Sequence, residues 1–240
     1  MLFIVSTPIG NLEDITLRAI RTIFSVDIVL CEDTRVSGNL LHHLRSHNTH
    51  PEKMPRLLPY HEYNEDQKLY EVVSQLEQGK NVALLSDSGT PLLSDPGYPL
   101  VKECIRRNIA VVAIPGASSV LAALVASGLP VYPFRFIGFA PEKRSHRIAL
   151  FESLQNHDPK DCLYAKETLI FFASSHKIVR ILEEMMSTIG CGTIVLAREL
   201  TKVHEEMIRG NVRDVVNRLR TSKPKGEYVV LFSKKENLFP

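Results

Sequence analysis

The 240-residue sequence lacks most of the features that would commit it to a specialised class. Its four cysteines, Cys31, Cys104, Cys162 and Cys191, fall in four separate segments without a Cys-x-x-Cys pair. That spacing argues against a metal site and fits a reduced, intracellular protein. No apolar stretch approaches the roughly 20 residues that span a bilayer. The apolar start Met1–Val5 is cut short by Pro8, Gly10 and Asn11, and no basic segment precedes it, so a signal peptide is not expected. The expected location is the cytoplasm, with no membrane partner. An excess of one charge is missing too: 29 Lys and Arg stand against 27 Asp and Glu, a net +2. Taken alone, that total speaks against a nucleic-acid partner.

What is present is the composition of an ordinary globular protein, 44% hydrophobic and 23% charged, which excludes disorder, collagen-like repeats and a fibrous coiled coil. The charge is unevenly placed. Residues 1–115 carry 11 basic against 14 acidic side chains and residues 116–240 carry 18 against 13, so the halves stand at −3 and +5. A phosphate backbone meets the local field rather than the sum.

Short β-branched runs at Leu2–Ser6, Asp27–Cys31, Val82–Ser86 and Ile109–Ile114 read as buried strands. Leu69, Val72, Val73 and Leu76 mark one helical face between them, and Leu17, Ile20 and Phe24 another. Alternating strand and helix predicts a mostly parallel sheet covered on both faces, an α/β domain over residues 1–115. Beyond a small-residue helix at Ser118–Ser127 the pattern changes. Arg135–Phe139, Thr168–Ala173, Thr193–Arg198, Glu205–Gly210 and Tyr228–Ser233 read as strands, with helical faces at Ile178, Ile181, Leu182, Met185 and at Val212, Val215, Val216, Leu219. A short turn between the third and fourth of these strands predicts a hairpin, and so a mixed sheet in a second α/β domain over residues 116–240.

Three polar, glycine-bearing loops follow strands in the first half: Ser6–Asn11, Ser86–Gly97 and Pro115–Ser119. Ligands of open α/β sheets gather at the carboxyl ends of strands. The Ser86–Gly97 loop spends about twelve residues where a turn needs about four. Together the loops are expected to line one cleft and offer backbone N–H and hydroxyl groups to a polar ligand. Several familiar motifs are absent. There is no G-x-x-x-x-G-K-[ST] and no G-x-G-x-x-G after the first strand. The run Gly116-Ala117-Ser118-Ser119-Val120 starts like a nucleophile elbow but has Val120 in place of the second glycine. His43 and His47 are four apart, with His42 and His50 nearby, but lack the glutamate of a zinc hydrolase, and no metal is expected. The remaining candidates are the charged strand ends Cys31–Arg35, Tyr60–Asn64 and Ala197–Lys202. Among them His61, Glu32 and Glu199 are the plausible proton acceptors.

Val5–Leu12, Cys31–Arg35, Ser86–Gly97, Pro115–Ser119, Phe171–His176 and Ala197–Lys202, in this order, resemble the ribosomal RNA small subunit methyltransferase I family, which is similar to the tetrapyrrole methylases. The resemblance covers nearly the whole chain. It implies a two-domain tetrapyrrole methylase-like fold with S-adenosylmethionine in the interdomain cleft, a homodimer, and methyl transfer to the ribose 2′-hydroxyl of a cytidine in 16S rRNA of the small ribosomal subunit. By position, Pro8, Asp87, Ser88, Gly89, Thr90, Leu92, Ala117, Ser118 and Ser119 would contact the cofactor, with Phe172, Ala173 and Ala197 completing the pocket. Glu32 with Arg35, Glu199 with Lys202, and His61 stand as catalytic candidates without a ranking. The segment Phe139–Arg147 resembles the family's basic loop, and Lys143, Arg144 and Arg147 are expected to hold RNA phosphates. Many family members continue past the strand matching Tyr228–Ser233 into a small helical extension. With the sequence stopping at Pro240, RNA affinity is expected to rest on the basic loop and the second domain. Two other readings share the fold: a tetrapyrrole methyltransferase, and a non-catalytic RNA-binding or assembly protein.

Overall fold

A computed structural model of the chain describes residues 1–47, 54–153, 167–190, 192–222, 224–234 and 238. His50, Cys162 and Cys191 of the sequence reading lie outside the described residues, as does the side chain of His47. The chain forms two compact units, Met1–Ser118 and Ser119–Pro240.

In the first unit five strands, β1 (Leu2–Val5), β2 (Ile28–Cys31), β3 (Arg56–Pro59), β4 (Val82–Leu85) and β5 (Val111–Ile114), form one sheet in the order β3-β2-β4-β1-β5. Every pairing is parallel. The four-residue strands β2 and β4 are buried along their whole length, because both faces of the sheet are covered. Successive side chains divide strictly between the faces. Val29, Cys31, Ala83 and Leu85 pack with Ile20 and Ile23 of α1 (Leu17–Ser25) and Leu41 and Leu44 of α2 (Thr34–His47). Ile28, Leu30, Val82 and Leu84 pack with Val72, Val73 and Leu76 of α3 (Glu65–Glu77) and Leu100 and Cys104 of α4 (Tyr98–Arg106). This period of two allows a three-layer unit, and each large apolar side chain so buried contributes about 1.5–3 kcal/mol.

The expected strand Ile109–Ile114 begins two residues later than its apolar run. Ile109 N donates to Cys104 O at 2.9 Å, so the residue is consumed in closing α4. The helix α1 starts where Thr16 Oγ1 accepts from Ala19 N at 3.0 Å, an N-cap that satisfies one orphan donor.

In the second unit β6 (Phe134–Phe139), β7 (Thr168–Ser174), β8 (Thr193–Arg198), β9 (Glu206–Asn211) and β10 (Glu227–Ser233) form a mixed sheet in the order β6-β7-β10-β8-β9. Only β6 and β7 run parallel, and β8 and β9 make the expected antiparallel hairpin. One face carries the unit's core. There Leu169, Phe171, Leu196 and Val230 meet α7 (Ile178–Ile189), α8 (Val212–Thr221) and Phe151 of α6 (Arg144–Ser153). The helix α5 (Ser119–Ser127) packs against β10 and β8. Arg209 of β9 fastens its end by donating to Ser127 O at 3.1 Å and Ala126 O at 2.6 Å. Among the described residues no helix is long and apolar enough to cross a membrane.

Candidate functional site

Because all five strands of the first unit are parallel, Val5, Cys31, Pro59, Leu85 and Ile114 end on one edge, and the loops that follow them share it. Three of these loops are joined by hydrogen bonds. Thr7 N donates to Gly89 O at 2.9 Å and Gly89 N donates back to Thr7 Oγ1 at 3.1 Å, while that hydroxyl donates to Ser86 O at 3.0 Å. Thr90 Oγ1 donates to Ala117 O at 3.1 Å and lies 3.3 Å from Ser6 Oγ. The β1, β4 and β5 loops therefore form one bonded body.

Two glycines let these backbones meet. A Cβ on Gly116 would lie 2.9 Å from Ser6 Cβ, and one on Gly89, whose φ is +85°, would lie 3.0 Å from Ile9 Cγ2. The long loop is closed by Gly97, where φ is +122° and a Cβ would come within 2.4 Å of Leu84 Cδ2. Gly97 N donates to Glu65 Oε2 at 2.9 Å, which ties the end of the loop to the first turn of α3. Leu92 and Ser94 adopt positive φ between these anchors, strain that such a bonded frame can sustain.

Of the residues expected at a cofactor, Pro8, Asp87, Ser88, Gly89, Thr90, Leu92, Ala117 and Ser118 all belong to these joined loops of the first unit. Pro8 and Gly89 are buried and Ser88 is exposed. Ser119 opens the second unit.

Carboxylates crowd the same edge. Partial desolvation by its neighbours raises the otherwise exposed Glu32 carboxyl above its ordinary range, and the charges of Asp87, Asp95 and Glu62 push it further, against a small opposing effect of His61. Asp87 and Asp95 are raised as well, mainly by burial. Asp87 Oδ1 accepts from Asp33 N at 3.3 Å, a bond that partly opposes the rise. Titratable groups perturbed together at a sheet edge mark a candidate chemical site. Asp95 and Glu62 lie inside segments quoted from the sequence but were not singled out there. Their signal is the convergence of parallel strand ends, which a linear reading registers only as separate charged loops.

Glu32 and Arg35, named together as catalytic candidates, make no ion pair with each other among the described residues. Arg35 is held by its near neighbour Asp33, with Arg35 Nη2 2.6 Å from Asp33 Oδ2 and Arg35 Nε 3.0 Å from Asp33 Oδ1. The guanidinium keeps Asp33 down at about 2. A two-residue separation at the helix start makes this local bond cheap, and it leaves Glu32 exposed and unpaired with Arg35. His61 Nε2 lies 3.1 Å from Asn64 Nδ2, while its Nδ1 is buried without a hydrogen-bond partner.

In the second unit Glu199 and Lys202 do form a pair, at 3.3 Å. It closes a turn: Glu199 Oε1 also accepts from Glu227 N at 3.0 Å, and Lys202 Nζ reaches Glu227 Oε2 at 3.0 Å. The Glu227 N–H, with Lys202, lowers the Glu199 carboxyl, which makes it a weaker base. Phe172, Val229 and Ala197 are register partners and share one face of the sheet. Ala173, expected beside them, points to the opposite face, into the core with Phe171 and Tyr228, and can offer only its backbone.

The basic loop also needs a correction. Lys143 and Arg144 are exposed, but Arg147 is 2% exposed and cannot meet a phosphate. Arg147 Nε and Nη2 donate to Glu184 at 2.7 and 3.0 Å, and Nη1 donates to Pro141 O at 2.7 Å and Glu142 O at 2.6 Å. Its position as the fourth residue of α6 turns it towards α7, a consequence of helical phase that a run of basic letters does not display. Among the described residues no group of three or more His, Cys, Asp or Glu could hold a metal ion.

A family profile for Tetrapyrrole (Corrin/Porphyrin) Methylases matches residues 1–216. A ribosomal RNA small subunit methyltransferase I from Thermotoga maritima is 40% identical over 235 residues, covering 98% of this chain and 99% of the relative. The chain belongs to the tetrapyrrole methylases and, within them, to the ribosomal RNA small subunit methyltransferase I family. The methyltransferases I of Halalkalibacterium halodurans, 40% identical over 230 residues, and Haemophilus influenzae, 41% identical over 234, match 96% of this chain and 74% and 77% of their own lengths. Methyltransferases I thus include both longer chains and chains of this extent. Among solved tetrapyrrole methylases, a cobalt precorrin-4 methyltransferase matches at TM-score 0.64 and 19% identity, covering 100% of this chain and 96% of its own. A uroporphyrin-III C-methyltransferase from Thermus thermophilus complexed with S-adenyl homocysteine matches at 0.60 and 18%, covering 97% of each. These structures share the fold, α/β with one parallel and one mixed sheet.

Proposed function

We propose that this methyltransferase acts on the ribose 2′-hydroxyl of a cytidine in 16S rRNA of the small ribosomal subunit, with S-adenosylmethionine as donor. The observation that carries the reading is the end-to-end match to ribosomal RNA small subunit methyltransferase I of Thermotoga maritima. The joined loops suit such a cofactor, because Gly89 and Gly116 let their backbones close against Ile9 and Ser6 and so gather the amide, carbonyl and hydroxyl groups of three loops at one edge of the sheet. S-adenosylmethionine supplies an electrophilic methyl on a sulfonium, so no metal is required. Thr7, Gly89, Thr90 and Ala117 hold the cradle, Asp87, Ser88 and Leu92 line it, and the protein's main task is to orient the ribose oxygen. Among the proton acceptors we favour Glu32, whose raised pKa brings it nearer the working pH, over Glu199, whose bonds lower it. Lys143 and Arg144 supply phosphate contacts. We further propose a homodimer, with a second copy covering the exposed apolar side chains Leu121, Val125, Val131 and Tyr132 along and after α5. The work is placed in the cytoplasm, where the subunit is assembled.

Calorimetric titration with S-adenosylmethionine tests the cradle. Saturable binding at one site per chain is expected, and no saturable heat would leave the non-catalytic assembly reading in its place.

A further inference from the structure

The strand β6 carries one irregularity, and it redirects an aromatic ring. Phe136 pairs with Ile170 of β7, but Phe139 rather than Gly138 pairs with Phe172. Three steps on one strand therefore face two on the other, a bulge in which Gly138 adopts φ +69°. Without the extra residue the alternation of side chains would send Phe139 to the face where Ile137 packs into the core. With it, Phe139 stands on the same face as Phe136 and Phe172. The Phe172 ring meets both edge-on, at centroid distances of 5.0 Å to Phe136 and 5.3 Å to Phe139. Phe139 is nevertheless 61% exposed. A bulge that moves a large apolar side chain out of a core and leaves it in water costs burial energy, which favours a role for the exposed ring.

The residues after Phe139 say what that role is. Lys143 and Arg144 follow within one short turn, and both are exposed. The turn is fixed from beneath by Arg147, which binds the carbonyls of Pro141 and Glu142 while its other two nitrogens are held by Glu184 of α7. Lys177 of the second unit adds an ion pair to the Glu142 side chain. An exposed aromatic ring braced by a second ring, beside two cations on a rigid turn, is the combination that receives unpaired nucleotides: the ring stacks a base and the cations take the phosphates.

We infer that Phe139 is a stacking platform for an unpaired nucleobase of the RNA substrate, and that Arg147 is a positioning residue that presents Phe139, Lys143 and Arg144 together. The inference rests on the RNA reading above and adds the kind of RNA: a single-stranded or turned-out nucleotide rather than a duplex.

The test compares wild type, Phe139→Ala and Phe139→Trp for binding to a single-stranded, cytidine-containing RNA oligonucleotide, to an RNA duplex of equal length and, separately, to S-adenosylmethionine. Because the ring is mostly exposed, Phe139→Ala is expected to melt like wild type. Single-strand affinity should fall about tenfold in Phe139→Ala and be restored in Phe139→Trp, with duplex and cofactor affinities unchanged. The slope of affinity against salt should also stay the same, since stacking releases no counterions. Equal loss of cofactor affinity would assign the ring to the cofactor pocket, and dissociation of a dimer on sedimentation would assign it to a contact between copies. Either result, or unchanged RNA affinity, overturns the inference while leaving the methyltransferase reading standing. Failure of the wild type to bind or methylate any RNA would remove both.

Discussion

Thr7 and Gly89 exchange two hydrogen bonds between loops that follow different strands, Thr7 N to Gly89 O at 2.9 Å and Gly89 N to Thr7 Oγ1 at 3.1 Å. The same hydroxyl holds Ser86 O, and the side chain is 2% exposed. Thr7→Val keeps the shape and leaves the Gly89 N–H without its acceptor. It should cost about 1–3 kcal/mol of stability and weaken S-adenosylmethionine binding, read by thermal melting and calorimetry.

Alanine in place of glycine should have opposite signs at two positions of the first unit. At Gly116 the new methyl would meet Ser6 Cβ at 2.9 Å, within the loop frame, so Gly116→Ala should lower both stability and cofactor affinity. Gly38 lies inside α2, where the methyl meets only Leu57 Cδ1 at an ordinary 3.7 Å. Gly38→Ala should raise stability by about 0.5–1 kcal/mol through helix propensity and leave cofactor binding unchanged.

The crowded carboxylates predict a dependence on pH. Glu32, Asp87 and Asp95 have folded pKa values above their ordinary ones. Their contribution to stability is therefore present below the ordinary carboxylate range and lost as pH rises through the raised values. At pH 7 the cluster is a cost, and Glu32→Gln should raise the melting temperature there, by a gain of about a few tenths of a kcal/mol because the group is exposed. The gain should vanish near pH 4. If Glu32 accepts the substrate proton, the same variant should lower kcat with little change in cofactor affinity.

Arg147 and its neighbours separate a structural from a binding role. Removing the buried guanidinium takes both close donors from Glu184 and leaves it only the longer, exposed contact to Arg144 at 3.7 Å, so Arg147→Ala should destabilise the second unit by about 3 kcal/mol. The bonds to Arg147 lower the Glu184 carboxyl, so the stability they confer is present above its ordinary pKa and lost as pH falls through the lowered value. Lys143→Ala and Arg144→Ala should leave melting nearly unchanged and reduce the salt slope of RNA binding by roughly 0.7–0.9 each.

Much of this architecture is legible in the sequence, for reasons the structure makes concrete. The buried strands β2 and β4 show as uninterrupted apolar runs because both faces of a parallel sheet are covered, and the face of α7 shows in the spacing of Ile178, Ile181, Leu182 and Met185. The loops at the strand ends show by their length and polarity. What stays hidden depends on direction. Arg147 reads as one more cation until helical phase turns it inward. Ala173 reads as a companion of Phe172 until the strand alternation sends it to the other face. Arg35 stands beside Glu32 in the sequence, yet its guanidinium is held by the local bond to Asp33. Phe139 reads only as the last residue of a strand, and the bulge at Gly138 decides which face its ring takes.

The central claim is methyl transfer to a ribose in small-subunit RNA. The direct measurement is to incubate the protein and S-adenosylmethionine carrying a labelled methyl with small ribosomal subunits, and with their RNA, from a strain lacking this activity, and then to map the label. The account predicts label on a single cytidine, at the ribose 2′-oxygen. Label on a base, or none in any assembly state while the protein still binds the cofactor, would contradict it.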